Sequence, residues 1–359
     1  MCGHLGLASP EPSKTRGAEV KRPTIADIAR EAGVSKGAVS YALNGRPGVS
    51  PATRERILEV AGRLNFHADT NARALAGAQA RVVGLTLQRP PSTLGVEPFF
   101  MELISGLELE LSRQSYALLL QMASGRDEEL AHYRRWHSEG RVDGVLVCDV
   151  RTGDPRIAAL EELGLPAIVI GPPDASGTLP SVWSDDAQSM VEAVEYLAAL
   201  GHRRIARVGG IAEFAHTAIR TDAFTAVCAR LGLPDAVTVA ADYTGESGAR
   251  ATRRLLGGAD RPTAIIYDND IMAVAGLTVA HEMGVPVPSR LSIIAWDDSP
   301  VCRLLHPPLT ALTRDIGAYG VRAAHLLLAA VAGEPVTSTH GAPAHLSPRG
   351  STARLSDPA

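Results

Sequence analysis

Residues 24–43, TIADIAREAGVSKGAVSYAL, leave the chain few ways to fold. Thr24-x-x-Asp27 has the form of a capping box, and Ile25, Ile28, Ala29 and Ala32 follow on one helical stripe. Gly33 stands where a left-handed residue ends such a helix. Only Val34 separates it from Ser35, whose hydroxyl suits the N-cap of a second helix. Counting from Lys36 on that helix, Ser40 falls at about 40°, Asn44 at about 80°, Gly37 at about 100° and Tyr41 at about 140°. Ala38, Val39, Ala42 and Leu43 take the other side, between about 200° and 340°. One face therefore docks on a small core while the other offers hydrogen-bonding groups. An isolated amphipathic helix would show the same segregation, but its neighbours narrow the choice. Ser50-Pro51 supplies another N-cap with proline at the first helical position, and Ile57, Val60, Ala61 and Leu64 give a third stripe. Two short helices around a glycine turn, closed by a third, form a helix-turn-helix whose second helix enters the DNA major groove.

Charge fits that reading. Residues 20–77 hold nine Lys/Arg against five Asp/Glu, a local charge of +4, while the whole chain is formally −4. A basic headpiece on an acidic remainder attracts phosphate at one end only.

The stretch TIADIAREAGVSKGAVSYALNGRPGVSPATRERILEVAGRLNF resembles the headpiece of LacI-family transcription regulators, and the resemblance runs on through NARALAG into the rest of the chain. It implies that Lys36, Gly37 and Tyr41 take base-reading positions. Thr24, Ser35, Ser40, Asn44 and Thr53 would support phosphate contacts or the headpiece itself. Gly37 and Tyr41 depart from the larger polar or arginine side chains often found at those positions, which leaves the operator sequence open. Residues 69–77, DTNARALAG, are too short for a helix stable alone in water. The resemblance implies that they order on DNA as a hinge helix in the minor groove. Leu75 would be the apolar wedge at a base step, and Arg73 would reach phosphate or groove edge. Ala68-Asp69 replaces the family's usual Pro-Asn before this helix.

Beyond the hinge, apolar runs at 81–87, 116–121, 142–150, 166–171, 204–210, 263–268 and 291–296 read as buried parallel strands, with helical stretches such as 187–200 and 271–283 between them. The expected fold is an all-α helix-turn-helix headpiece with a hinge helix, then an α/β body of two doubly wound parallel-sheet subdomains. The expected divisions are a disordered tail at 1–19, headpiece at 20–67, hinge at 68–80 and body at 81–359. Within the body, 81–183 plus 314–330 form one half and 184–313 plus 331–352 the other. Ligands of open α/β sheets bind beyond the carboxyl ends of the strands. Asp149, Gly171, Asp268-Asn269-Asp270 and Asp297-Asp298 fall there, although each alone also reads as a turn or helix cap.

The resemblance implies a periplasmic-binding-protein-like body that holds a sugar or another small molecule between its halves. Arg220, in RTDAF, would clamp ligand hydroxyls or acidic oxygens; Asn269 and Asp297 would be polar contacts, with Asp149 expected beside them from its place at a strand end; Tyr243 would stack; and Phe99 and Phe100 would form a wall. Arg314 replaces an amide of the family. Two arginines could mark an anionic ligand, or Arg314 could pair with a pocket aspartate. Of the paired carboxylates, Asp185-Asp186 reads as a helix start and Asp297-Asp298 as hydroxyl recognition.

Catalysis has little support. The chain has neither a Gly-x-x-x-x-Gly-Lys phosphate loop nor a Gly-x-Gly-x-x-Gly after a strand. His340 and His345 lie in a turn-rich segment without a third metal ligand, and Cys2, Cys148, Cys228 and Cys302 show no Cys-x-x-Cys. No cofactor is expected. The opening residues carry no apolar core of a signal peptide, so a cytoplasmic protein without membrane contact is expected. The rival reading, a solute-binding protein that delivers sugar to a transporter, would share the body but need a signal peptide and no headpiece; an enzyme on such a body comes third. The partners expected are a pseudo-palindromic duplex operator, a small effector of sugar type and a second copy of the chain. The C-terminal residues 345–359 lack the apolar heptads of a tetramerising coiled coil.

Overall fold

The computed structural model describes residues 23–43, 46–64, 66, 79–89, 95, 97–233 and 235–355. They belong to two compact units, one within Met1–Ala76 and one within Gly77–Ala359. The expected tail at 1–19, Asn44 and the hinge at 68–78 with Arg73 and Leu75 lie outside the described residues.

The first unit is built from α1 (Ile25–Ala32), α2 (Lys36–Leu43) and α3 (Pro51–Arg63). Its caps follow from single side chains. Thr24 accepts from the Asp27 amide at 3.4 Å, while the Asp27 carboxylate accepts the Thr24 amide at 2.9 Å, so two end-of-helix donors are satisfied reciprocally. Gly33 ends α1 at φ 65°, a conformation in which any Cβ would be strained. The Ser35 hydroxyl accepts from the Ala38 amide at 3.2 Å, and Ser50 caps α3 ahead of Pro51. Ile28, Ala29, Ala32, Val39, Ala42, Ile57, Val60 and Ala61 close the core. With so little apolar volume, each large member matters; truncating Ile57 to alanine removes roughly 2–5 kcal/mol.

The second unit alternates strand and helix. Its first half runs β1 (Val82–Leu87), α4 (Pro98–Arg113), β2 (Ala117–Met122), α5 (Arg126–Ser138), β3 (Gly144–Val147), α6 (Pro155–Leu163), β4 (Ala167–Ile170) and β5 (Ser181–Trp183). The second half runs α7 (Asp186–Ala199), β6 (Ile205–Gly209), α8 (Ala215–Arg230), β7 (Val237–Ala240), α9 (Gly245–Gly257), β8 (Ala264–Tyr267), α10 (Asp270–Glu282), β9 (Ser292–Trp296), α11 (Pro300–Leu304) and β10 (Thr310–Thr313). The chain then returns to the first half with α12 (Ile316–Val331) and β11 (Thr339–His340), and ends in the second with β12 (His345–Ser347). The first sheet, in order β11-β5-β4-β3-β1-β2, is parallel throughout; the second, β12-β10-β9-β8-β6-β7, is parallel except for β12. Apolar side chains cover both faces of each sheet, which is why the central strands read as continuous apolar runs.

The chain crosses between halves at 183–186, at 313–316 and at 340–345. The last crossing corrects the expected division, which gave all of 331–352 to the second half: Thr339 and His340 pair with Val182 and Trp183 in the first sheet. His340 and His345, read as lying in a turn-rich segment, are strand residues of different sheets. Strands of two or three residues carry no periodicity to read. α12 lies close on α4 because Gly106 and Gly320 have no side chains; a Cβ on either would strike backbone of the opposite helix. The end of the chain is woven into the second half, with Ile293 donating to Ser351 O at 2.9 Å and Leu355 to Leu200 O at 2.9 Å.

Candidate DNA-reading face and ligand cleft

On α2 the face opposite the core is open. Lys36 and Gly37 are exposed, Tyr41 is 46 % exposed, and Ser40 is partly buried. A Cβ at Gly37 would meet only the Ser35 hydroxyl, at 3.8 Å, so α2 does not need glycine there for packing. Tyr41 lies close to Gly48, where a Cβ would stand 3.3 Å from the ring. Thr24, Ser35 and Thr53 are held by the caps: Thr24 donates to Asp27 at 2.7 Å, and the Thr53 and Ser50 hydroxyls share a hydrogen bond of 2.8 Å. Capped helix starts of this kind present backbone amides suited to phosphate.

In the second unit a narrow cleft, with a cavity of about 90 Å³, opens at the carboxyl ends of both sheets. Phe99, Phe100, Asp149, Arg220, Tyr243, Asn269, Asp297 and Arg314 all line it, as does Gly171. The topology brings them together: Asp149 follows β3, Gly171 follows β4, Asn269 follows β8, Asp297 follows β9, and Arg314 follows β10. Asp149, Tyr243 and Asp297 have φ of 52°, 68° and 66°. Such left-handed positions cost on the order of 1–3 kcal/mol each and turn side chains away from the strand direction.

Each arginine of the cleft has a carboxylate. Arg220 grips Asp186 at 2.7 and 2.8 Å, donates to Asp268 O at 3.2 Å, and lies 3.7 Å over the Trp296 ring. Arg314 binds Asp297 at 3.0 Å and lies 3.7 Å from Asp186. This realises the pairing alternative weighed for Arg314. Arg89 binds Asp149 at 2.8 Å and Glu97 at 3.1 Å. Burial opposes charge on Asp186, but Arg220 and Arg314 prevail and hold it below the usual carboxylate range. Burial pushes Glu97 up to about 7 in spite of Arg89, pushes Asp270 up to about 6, and pushes His216 down to about 4. The lining carries six carboxyl groups and three guanidiniums, but Arg207, just behind it, binds Asp268, and burial favours the neutral forms of Glu97 and Asp270. An anionic guest would therefore find no unpaired guanidinium there.

Other expected roles change in detail. Tyr243 is only 5 % exposed; its hydroxyl bonds His216 at 2.7 Å and Thr217 at 2.8 Å, and its ring packs beside Phe214 and Arg89. That makes it a wall rather than an open stacking surface. Asn269 caps α10 through Met272 N and donates to Tyr243 O at 2.9 Å, so it holds the wall in place. Asp298, read with Asp297 as a hydroxyl-recognition pair, turns away and binds Arg349 at 2.6 Å and Arg303 at 3.3 Å. Asp185 caps α7, as its reading as a helix start implies, but its neighbour Asp186 points into the cleft. Sequence reasoning missed Arg89, Glu97, Trp183 and His216, which also line it. Asp186 had a signal, being beside a helix cap at a crossing between halves; the other four sit in no motif. Among the described residues no group of three or more metal-ligating side chains is assembled, and no helix is long and apolar enough to cross a membrane.

A helix-turn-helix with an open reading face, followed by two doubly wound halves around a polar cleft, defines a class of DNA-binding regulator with a ligand-binding type of body. Residues 24–69 match bacterial regulatory proteins of the lacI family, and residues 194–352 match the periplasmic binding protein-like domain. Catabolite control protein A of Priestia megaterium is 31 % identical over 305 residues, covering 83 % of this chain and 90 % of that protein. Among solved structures, the lac repressor dimer bound to operator and the anti-inducer ONPF superposes with a TM-score of 0.80 at 25 % identity, over 93 % of this chain and 100 % of that one. The complex of the transcriptional regulator CelR with cellobiose gives 0.69 at 27 % identity, over 92 % and 100 %. The chain belongs to the lacI family of bacterial regulatory proteins and is a DNA-binding transcriptional regulator.

Proposed function

We propose that this regulator is a cytoplasmic repressor, without catalytic activity, that binds a pseudo-palindromic operator as a homodimer and whose operator affinity changes when a neutral sugar enters the cleft. Lys36, Gly37 and Tyr41 read bases, and Thr24, Ser35, Ser40 and Thr53 set the headpiece on phosphate. Asn44, Arg73 and Leu75 complete that set by their place in the motif. In the cleft, Asp149, Asp297 and Arg220 supply polar contacts, and Phe99, Phe100 and Tyr243 the walls. The domain limits proposed are 20–67 for the headpiece, 68–80 for the hinge and 81–359 for the body. Two-fold operators suit a dimer because one reading helix per subunit gains specificity by pairing. The dimer, operator and ligand of the lac repressor structure, and the cellobiose of the CelR complex, point the same way.

One observation carries the choice of a neutral ligand: every arginine in the cleft is already paired with a carboxylate. Sugar hydroxyls donate to such oxygens without adding charge. The test is a thermal-shift comparison of neutral mono- and disaccharides, cellobiose included, with sugar phosphates and sugar acids. A neutral sugar at 100 times its dissociation constant stabilises the protein by about 2.7 kcal/mol. Stabilisation by the anionic sugars alone would overturn the reading.

A further inference from the structure

We propose that Arg89 is a positioning residue that clasps the two halves of the body together, its guanidinium held in a site to which both halves contribute. Arg89 leaves the end of β1, and its side chain is only 5 % exposed. The first half grips it by charge, through Asp149 at 2.8 Å and Glu97 at 3.1 Å, with Gln88 O accepting at 3.1 Å. Across the cleft the second half meets it with rings: the guanidinium carbon is 5.4 Å from the centroid of Phe214 and 5.8 Å from that of Tyr243, while Phe100 of the first half stands at 5.1 Å. A planar cation excluded from water is held by carboxylates and by aromatic rings at once.

Phe214 is also where the halves join by backbone. Ala215 N donates to Val150 O at 2.9 Å, and Arg151 and Phe214 form an isolated bridge. The Arg151 guanidinium lies 5.1 Å from the Phe214 centroid and reaches back to Gln88 at 2.9 Å. The ring of the second half is thus drawn between two cations of the first. Parting the halves breaks the Ala215 hydrogen bond and takes Phe214 and Tyr243 from Arg89 together. Closure is therefore in part made by the chain itself, and a ligand adds to it or competes with it.

The test uses full-length protein and no effector, so it stands apart from the ligand reading. Amide exchange at Ala215 reports the backbone joint. Arg89→Ala should raise that exchange about tenfold or more through loss of the cation from its ring and carboxylate site. Millimolar guanidinium, which fits the space vacated, should restore protection, and equal urea, of the same shape without charge, should not. Arg89→Lys keeps the charge but not the flat fork; it should fall between wild type and Arg89→Ala, and it supplies the reading if the alanine variant fails to fold. Unchanged Ala215 protection in either folded variant, or rescue by urea as good as by guanidinium, would overturn the proposal.

Discussion

Gly37 and Tyr41 separate what a residue does for the fold from what it does for recognition. No neighbour requires glycine at 37, and glycine costs backbone entropy even at this second residue of α2, so Gly37→Ala should raise headpiece stability by some fraction of about 1 kcal/mol. Tyr41→Ala removes an exposed ring and should alter the ranking of operators in a selection from randomised duplexes. Equal losses on operator and random DNA would remove Tyr41 from the base-reading set. These residues were legible because helical spacing fixes their direction. Glu97 was not: its importance comes from burial against Arg89, with Asp149 and Asp297 also facing it, and no spacing announces that. Its carboxyl is raised to about 7, whereas in an unfolded chain it titrates near about 4.3. Between those values the folded state holds the extra proton, so this group makes stability fall as pH rises. His132, His202 and His216, all held down by burial, act oppositely but only up to about pH 6.5, where unfolded histidine loses its proton. From about pH 6.5 to 7.5 the Tm of the body should therefore decline, and Glu97→Gln should flatten it. A Glu97→Gln variant with the wild-type slope would count against this account.

At the scale of elements, long apolar runs announced β1, β3, β4, β6, β8 and β9, because strands covered on both faces must be apolar throughout. β2 was read from a similar run although it is a half-exposed edge. β7 is a largely exposed edge, β5, β11 and β12 are three residues or fewer, and β10, of sequence TALT, is half threonine, so neither pattern nor length marked them. Among the described residues of the body, two helices present apolar side chains outward: α4 with Met101 and Leu109, both about half exposed, and α11 with Leu304 at 81 %. Exposed side chains of this kind mark association surfaces when they lie together, and a two-fold dimer would cover them in pairs. Leu304→Glu should therefore shift the dimer toward monomer in sedimentation at micromolar concentration. A wild-type monomer, a stable tetramer, or a Leu304→Glu variant as dimeric as wild type would contradict the assignment.

For the whole molecule, three chain crossings join the halves, and Arg314 at the second crossing ties Asp297 to Ser184 at the first. Both halves therefore meet in the cleft, and a ligand there can favour one arrangement of the halves over another. It changes operator affinity only so far as it binds those arrangements unequally. The headpiece and body could each be read from the chain, but their coupling could not, because it depends on which contacts across the cleft are made and broken. The direct measurement is operator affinity of the full-length protein, with and without a saturating sugar taken from the thermal-shift comparison, at fixed salt and with calorimetry showing the cleft occupied. Allosteric coupling is typically 1–3 kcal/mol, so the dissociation constant should change by roughly 5- to 150-fold. An operator dissociation constant that stays the same while the sugar is bound would contradict the account.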